Sequence, residues 1–180
     1  MRITGGFYKG RIVACPPGVI RPTMDRMREA LFAVLGDLTG CSFLDLYAGS
    51  GVVGIEAASR GAEPVVFVEK DPGKREVLAR NTSLLTQARR IHIMPVERYL
   101  ARKPGRFDYI FLDPPFGQKG TLEVLRTIAA RGVLAEGGTL MVHWSRENLP
   151  LQAPEGLRPT DRRDFGRSVV LFFRLGGQAG

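Results

Sequence analysis

Between Ser42 and Ser145 the chain alternates short, continuous apolar runs with longer segments whose apolar residues recur at helical spacing. The short runs are typical of strands buried in a parallel sheet, and the longer segments are typical of amphipathic helices. The strands that this pattern predicts are Ser42–Tyr47, Pro64–Glu69, Ile91–Met94, Phe107–Asp113 and Thr139–Trp144. The helices predicted between them are Gly51–Arg60, Pro72–Leu85, Glu97–Arg102 and Thr121–Arg131. This alternation predicts an α/β fold in which right-handed crossovers place helices on both faces of the sheet.

The segment that precedes this alternation has a different character. Residues 1–15 are basic and rich in glycine, which predicts a short hairpin or an extended arm. A helix is predicted to follow and to end at Gly36, because apolar residues recur at helical spacing at Met27, Ala30, Leu31, Val34 and Leu35. We therefore predict an N-terminal arm and helix over residues 1–36 and a main domain over residues 37–176, together forming one compact unit.

The segment that follows the alternation predicts two more strands. Leu157–Asp164 and Ser168–Arg174 flank the turn Phe165-Gly166-Arg167, so they are expected to pair with each other in antiparallel fashion at the edge of the sheet. The prediction is therefore a mostly parallel sheet of seven strands. In an open sheet of this kind, a ligand binds at the carboxyl ends of the strands near the topological switch point.

Length and composition exclude several classes of protein. The chain has 180 residues, of which 44% are hydrophobic and 24% are charged, as expected for a single folded domain and not for a disordered or fibrous protein. Two cysteines, Cys15 and Cys41, form no disulfide framework, and with only His92 and His143 beside them no metal site is expected. Both histidines lie in apolar strands and are expected to be structural. Because no signal peptide or membrane-spanning run is visible, we expect a cytoplasmic protein.

A glycine-rich loop is the first candidate for chemistry. Asp45 and the glycines Gly49, Gly51 and Gly54 form a G-x-G-x-x-G pattern that follows a predicted strand and opens a helix. Glu69 ends the next strand, where a carboxylate can accept hydrogen bonds from both hydroxyls of a ribose. Together these residues predict a bound adenosine without deciding which cofactor carries it.

The segment Asp113-Pro114-Pro115-Phe116 is the second candidate, at the carboxyl end of the fourth predicted strand. Two consecutive prolines have no backbone N–H, so the loop offers the Asp113 carboxylate and backbone carbonyls as hydrogen-bond acceptors. Such a site suits an amino group. The Phe116 ring adds a flat surface on which a nucleobase turned out of its stack can lie.

The two motifs together resemble the class I S-adenosylmethionine-dependent methyltransferases, whose amino-group branch carries [DNS]-P-P-[YFW]. A narrower resemblance covers nearly the whole chain, to the guanine-N2 methyltransferases that act on bacterial small-subunit ribosomal RNA. The stretches that carry it are Met1-Arg-Ile-Thr-Gly-Gly, Tyr8-Lys-Gly-Arg11, Arg21-Pro-Thr, Asp25-Arg-Met-Arg-Glu-Ala-Leu-Phe32, Phe67-Val-Glu-Lys-Asp71, Phe107-Asp-Tyr-Ile-Phe-Leu-Asp-Pro-Pro-Phe116 and Phe165-Gly-Arg-Ser168. The resemblance implies a Rossmann-like class I methyltransferase fold with a small basic N-terminal extension, and S-adenosylmethionine as the cofactor.

The resemblance also assigns expected roles to residues of this chain. Asp113 and the Pro114 carbonyl would receive the target amine, and Phe116 would stack on the base. Val96 would recognise the adenine through its backbone, because Pro95 stands where the family often has Asp or Asn. The residues expected to bind the cofactor are Asp45, Gly49, Ser50, Gly51, Glu69 and Val96.

The charge balance supports a polyanionic partner. Lys and Arg number 26 against 18 Asp and Glu, which gives a net charge of +8. The residues of the N-terminal arm expected to contact RNA phosphates are Arg2, Lys9, Arg11 and Arg21. The expected partner is ribosomal RNA or the small ribosomal subunit, and a monomer suffices for the reaction.

Other functions compete with this interpretation. Adenine-N6 or another amino group of RNA or DNA would also fit an acceptor loop, and a catalytically idle RNA-binding assembly factor would keep the basic arm. A nicotinamide oxidoreductase could use the glycine loop and Glu69, but the chain has no separate substrate domain and Asp113-Pro-Pro has no evident role in hydride transfer.

Overall fold

The protein is described by a computed structural model that covers residues 1–15, 22–115, 117 and 119–176. The sheet contains seven strands, which are β1 (Phe43–Leu46), β2 (Val65–Glu69), β3 (Arg89–Ile93), β4 (Phe107–Leu112), β5 (Leu134–Ser145), β6 (Leu157–Phe165) and β7 (Ser168–Leu175). Five α-helices accompany it, which are α1 (Pro22–Leu35), α2 (Val52–Ser59), α3 (Arg75–Thr82), α4 (Val96–Ala101) and α5 (Thr121–Ala130). Among the residues described, no helix is both long enough and apolar enough to cross a membrane.

The order of the strands creates the site where a ligand is expected. The sheet runs β3-β2-β1-β4-β5-β7-β6, and the first five of these strands are parallel. β7 inserts antiparallel between β5 and β6. From β1 the chain forms β2 and β3 on one side and then crosses to form β4 on the other side, so the carboxyl ends of the neighbours β1 and β4 border the switch-point crevice. The predicted mostly parallel sheet of seven strands is therefore confirmed.

The central strands are buried from both sides. Every residue of β1 and β2 is buried, which explains why both strands are mostly apolar and show no alternation of apolar and polar residues; the exceptions are the site residues Asp45 and Glu69. On one face, α1, α2 and α3 pack over a core that includes Phe32, Phe43 and Phe67. On the other face, α4 and α5 pack over a second core, built mainly from aliphatic residues of the strands.

The N-terminal arm packs against the body of the protein. Arg2 and Ile12 form an antiparallel bridge, and the side chains of Ile3, Tyr8 and Val13 are buried in the first core. Backbone N–H groups of the arm also donate to side chains of α2. The hairpin expected for this segment forms, and it shares its core with the sheet. The domain division at residue 36 stays a prediction.

Some boundaries differ from the sequence prediction. β3 begins two residues earlier, at Arg89, and β5 begins at Leu134 instead of Thr139. The extra residues of β5 include Gly137 and Gly138, which hide the apolar pattern, and the pairing with β4 shifts register in this region. The helix predicted from Pro72 begins as a single 3₁₀ turn, capped by the Asp71 carboxylate, which accepts from Gly73 N at 2.9 Å.

Candidate active site

A cavity of about 830 Å³ opens at the carboxyl ends of the parallel strands. It lies at the switch point between β1 and β4, where the sequence predicts a ligand. Loops that follow β1, β2, β3 and β4 contribute to its walls, together with the end of β5 and the N-terminal arm. The residues that line it include Met1, Cys15, Asp45, Tyr47, Gly49, Ser50, Glu69, Asp71, Lys74, Pro95, Asp113, Pro114 and His143.

The glycine loop between β1 and α2 has the backbone shape that its sequence requires. Gly49 and Gly51 have φ values of 56° and 79°, in the left-handed region that favours glycine. A Cβ at Gly51 would lie 2.6 Å from Leu78 Cδ1, so the loop packs closely against α3 there. A Cβ at Gly49 would meet only Tyr47 O, at 4.0 Å, so the protein leaves open the space beside this glycine, where a ligand can approach the backbone. Tyr47 itself has φ 62°, an uncommon conformation for a non-glycine residue.

Glu69, at the end of β2, is held in place by the surrounding backbone. Its side chain is buried, and its two carboxylate oxygens accept hydrogen bonds from Gly49 N at 2.8 Å and Asp71 N at 2.9 Å. Lys74 Nζ lies 3.6 Å from Glu69 Oε2. A carboxylate has about four acceptor positions, so free lone pairs remain for the two hydroxyls of a ribose. The carboxylate is therefore oriented before any ligand binds.

Asp45 is buried beneath the glycine loop. Its Oδ2 accepts a hydrogen bond from Gly54 N at 3.0 Å, which fixes the start of α2. Burial raises the pKa of Asp45 to about 8, against the lowering effect of the Gly54 hydrogen bond, and the charges of Asp113 and Glu69 add to the rise. The negative charge of Asp45 is thus costly in the cavity, and a cationic ligand would stabilise it.

Asp113 and Pro114 lie at the opposite wall of the cavity, directly after β4. Asp113 N donates to Leu46 O of β1 at 3.3 Å, so the sheet continues far enough to fix the backbone of this residue. The Asp113 carboxyl is partly exposed and Pro114 is buried, and both line the cavity. Phe116, the predicted stacking residue, lies outside the described residues.

His143 was expected to be structural, but it belongs to the site. Its Nδ1 lies 2.7 Å from Asp113 Oδ1, and its ring is buried at the cavity wall. β5 pairs with β4 in the register Val142 to Leu112, so the residues that follow each of these lie side by side. A carboxylate oxygen accepts hydrogen bonds, so the His143 tautomer that carries its proton on Nδ1 donates to Asp113 Oδ1. The sequence indicates only that His143 lies in an apolar strand, and it does not indicate which residue of β4 lies beside it.

The remaining predicted site residues fall in different places. Ser50 is buried and lines the cavity, and its carbonyl accepts from Asn81 Nδ2 at 2.9 Å. Val96 opens α4 with its side chain in the second core, while the preceding Pro95 lines the cavity. The adenine-recognition role of the Val96 backbone stays a prediction.

The arm residues predicted to bind RNA lie apart from the cavity lining. Arg2, Lys9 and Arg11 are exposed on the surface of the arm, and Arg2 Nη1 donates to Gly10 O at 3.2 Å. Arg21 lies outside the described residues. Arg28, a cation of the helix that follows the arm, has its side chain buried against Glu56 at 3.3 Å. Arg28 is therefore a structural residue.

Comparison with known proteins gives the same fold over nearly the whole chain. The structure of an Escherichia coli protein, yhhF, superposes with a TM-score of 0.88 at 27% identity, covering 99% of both chains. Among curated sequences, Bacillus subtilis YlbH is 33% identical over 98% of this chain and 100% of its own length. The ribosomal RNA small subunit methyltransferase D of Escherichia coli K12 is 34% identical over 82% of this chain and 76% of that protein.

The family described as Conserved hypothetical protein 95 matches residues 1–174, which include the arm, the glycine loop and the Asp113-Pro-Pro segment. The Rossmann-like fold and the cofactor class inferred from the motifs are thereby confirmed. The chain belongs to this Conserved hypothetical protein 95 family, and it is a class I S-adenosylmethionine-dependent methyltransferase.

Proposed function

We propose that this protein transfers the methyl group of S-adenosylmethionine to the exocyclic N2 amine of a guanine in small-subunit ribosomal RNA. The observation that carries the proposal is the acceptor pair Asp113 and Pro114 at the wall of the cofactor cavity, with the carboxylate fixed by His143 at 2.7 Å. A site that offers acceptors and no backbone N–H at either proline selects a group that donates two hydrogen bonds, as an amine does.

The cavity residues fit the cofactor. Glu69 would hold the ribose hydroxyls, the open space beside Gly49 would admit the ribose and methionine parts, and Asp45 would face their positive charges. When bound, S-adenosylmethionine supplies an electrophilic methyl group on a sulfonium. The chain's own residues then have to place the attacking amine in line with that methyl, roughly 3–3.5 Å away.

The exocyclic amine of guanine is a poor nucleophile because its lone pair is delocalised into the ring. Hydrogen bonds from its two protons to Asp113 and to the Pro114 carbonyl would rotate and pyramidalise the nitrogen, which restores the lone pair. Asp113 and the Pro114 carbonyl would thereby hold the nitrogen lone pair toward the methyl group that the bound cofactor supplies, and the neutral thioether of the cofactor would be the leaving group. The proton that becomes acidic on the methylated nitrogen passes to Asp113 or to water, so no strong base is needed before attack.

Two further observations support ribosomal RNA as the substrate. The relative from Escherichia coli is named for its action on the RNA of the small ribosomal subunit. The chain carries a net charge of +8, which favours a polyanion. The choice of guanine N2 rests on the resemblance of the motifs from Met1 to Ser168 to the guanine-N2 family.

The test is transfer of labelled methyl to unmodified small-subunit RNA, to small-subunit particles and to DNA, with the product nucleoside identified by mass spectrometry. We expect N2-methylguanosine in RNA or in particles. N6-methyladenine would refute the choice of base, and label in DNA alone would refute the choice of nucleic acid. Cofactor binding without transfer to any acceptor would refute the reaction and favour an assembly role.

Two variants of one residue test the mechanism. Asp113→Ala removes the acceptor and is expected to abolish turnover while the Kd for S-adenosylmethionine stays within a few-fold. Asp113→Asn keeps an acceptor oxygen, so part of the activity should survive. If Asp113→Ala weakened cofactor binding as much as turnover, Asp113 would shape the cofactor pocket instead of holding the amine.

A further inference from the structure

The segment from β3 to the start of β4 is the most basic part of the fold. Between Arg89 and Arg106 it carries six cations and one acid, Glu97, so it supplies a net +5 of the chain's +8. All six cations are exposed. We call this set the β3–α4 basic surface, and its members are Arg89, Arg90, Arg98, Arg102, Lys103 and Arg106.

These cations lack acidic partners within the described residues, which include every Asp and Glu of the chain. The ion pairs found there all involve other cations. The arginines beside the β6–β7 turn are a contrast, since Arg162 pairs with Asp164 at 2.6 Å and Arg163 with Asp161 at 2.9 Å. Like charges that lack counter-charges repel one another, and a bound polyanion lowers this repulsion.

The cations come from β3, from α4 and from the loop that leads to β4. β3 is an edge strand, paired only with β2, and the His92 ring on it lies 4.9 Å from the Tyr99 ring of α4. Burial, and then the positive charges of Arg102 and Arg90, lower the pKa of His92, so both cations act on this ring. Arg98 lies in α4, and Arg102, one helical turn later, is the C-cap residue of this helix.

This surface lies within reach of the active site. In the sheet register, Arg90 aligns with Val66, Leu44 and Ile110, and Asp113 follows Ile110 by three residues. Three strand spacings of about 4.8 Å and three residues of about 3.3 Å along the strands separate Arg90 from Asp113, so the two positions are about 18 Å apart. A folded RNA can span this distance with one base in the cavity and its backbone along the edge of the sheet.

We propose that the β3–α4 basic surface binds the phosphate backbone of the RNA whose base enters the cavity. The inference rests on the proposed function for the identity of the RNA. Arginine forks bind phosphate oxygens in pairs and stay charged at all physiological pH values. Because phosphate contacts carry no base information, this surface would supply affinity and register while the cavity selects the base.

The chemistry of the surface favours RNA over a membrane or a protein partner. The large apolar side chains that are most exposed in the described structure are Phe7, Ile12, Val34 and Leu122, and all of them lie outside residues 89–106. Membrane-surface helices bury an apolar face beside their cations, and protein interfaces centre on apolar anchors. The β3–α4 basic surface carries cations, and none of the large apolar side chains that are most exposed in the described residues lies on it.

The test compares two triple variants with the same change in charge. Arg90→Gln, Arg98→Gln and Arg102→Gln remove half of the surface, whereas Arg162→Gln, Arg163→Gln and Arg167→Gln remove arginines that are already paired with acids. Binding to small-subunit RNA is measured over a series of salt concentrations. The first variant should bind roughly 10- to 100-fold more weakly, with a slope of log affinity against log salt smaller by about two to three. The control variant should change the slope by less than one.

Methyl transfer separates the two proposals. In the surface variant, KM for RNA should rise while KM for S-adenosylmethionine and the melting temperature stay at their wild-type values. If wild type methylates RNA and the surface variant binds and methylates it equally well, this inference is wrong and the proposed function stands. Equal weakening in both triple variants would also overturn it. If wild type binds RNA through this surface but transfers no methyl, the proposed function fails alone. If wild type binds phosphatidylglycerol vesicles and not RNA, the partner is a membrane and the inference fails.

Discussion

Glu56 ties the N-terminal arm to α2, and Glu56→Gln is expected to lower the free energy of unfolding by about 3–5 kcal/mol. Its carboxylate is fully buried and accepts hydrogen bonds from Thr4 N at 2.8 Å, Thr4 Oγ1 at 2.7 Å and Gly5 N at 2.9 Å. It also pairs with Arg28 at 3.3 Å and with Arg60 at 3.2 Å. A glutamine keeps one acceptor oxygen and turns an NH₂ group toward these donors.

The size of the loss follows from what the substitution leaves behind. Arg28 is 1% exposed and loses its buried counter-charge, although Asp25 remains 3.1 Å away and Arg2 O still accepts from it. Breaking a buried ion pair by removing one partner costs more than the net contribution of the pair, because the other charge stays in a dry environment. For a chain of this size, about 3–5 kcal/mol corresponds to a fall in Tm of roughly 6–20 °C.

The assay is thermal unfolding by calorimetry, with hydrogen exchange at the amides of Thr4 and Gly5 as a local readout. Glu123→Gln is the matched control, because Glu123 forms an exposed pair with Arg126 at 3.4 Å and such pairs contribute at most about 1 kcal/mol. A fall in Tm no larger than that of the control, with the two amides still protected, would refute the reasoning.

Two further predictions concern the cavity. His143→Leu removes the donor to Asp113 and should lower kcat by about 10- to 100-fold at an unchanged KM for S-adenosylmethionine. His143→Asn keeps an N–H donor and should retain more activity. Equal losses of kcat for the two variants in methyl-transfer assays would contradict a positioning role for His143. The raised pKa of Asp45, about 8 in the folded protein against an ordinary value of 3.8, means that the folded state holds a proton that the unfolded chain releases between about pH 4 and pH 8. The free energy of unfolding of the wild type, relative to that of Asp45→Asn, should therefore fall by about 1.4 kcal/mol per pH unit as the pH rises through this window, and it should stay constant above it. The measurement is urea unfolding of both proteins from pH 5 to pH 9. A difference in unfolding free energy that does not change with pH would contradict the prediction.

The parts of the site that the sequence predicts are those built from local signals. β1 and β4 are mostly apolar, and residues that line the cavity follow each strand, Gly49 three residues after β1 and Asp113 directly after β4. Parallel strands bring their carboxyl ends to one edge, so the fold class alone predicts that both loops border one cavity. The position of Glu69 at the end of β2 is predictable for the same reason.

The parts that escaped prediction depend on which strands and helices become neighbours. His143 and Asp113 are 30 residues apart, and they meet only because β5 pairs with β4 in one particular register. Glu56 and Thr4 are 52 residues apart, and the helical pattern of α2 gives no sign that a charged residue faces the arm. A polar residue on an apolar face can be a satisfied core group or a functional one, and only its partner decides between them.

The charged residues that line the cavity are mainly acids, whereas those of the β3–α4 basic surface are cations. Four acids line the cavity, Asp45, Glu69, Asp71 and Asp113, against the two lysines Lys70 and Lys74. This negative balance is complete only when a cation stabilises the charged form of Asp45, as the sulfonium and ammonium of the cofactor would, and it would then repel phosphates. In the proposed reaction, a nucleic acid would therefore enter the cavity through a neutral base, while its backbone stays outside. The six cations of the β3–α4 basic surface lie outside the cavity and would provide the attraction that the cavity lacks. Because the two fields would have opposite signs, the electrostatics that draws RNA to the basic surface in our proposal would also keep its phosphates out of the cofactor pocket.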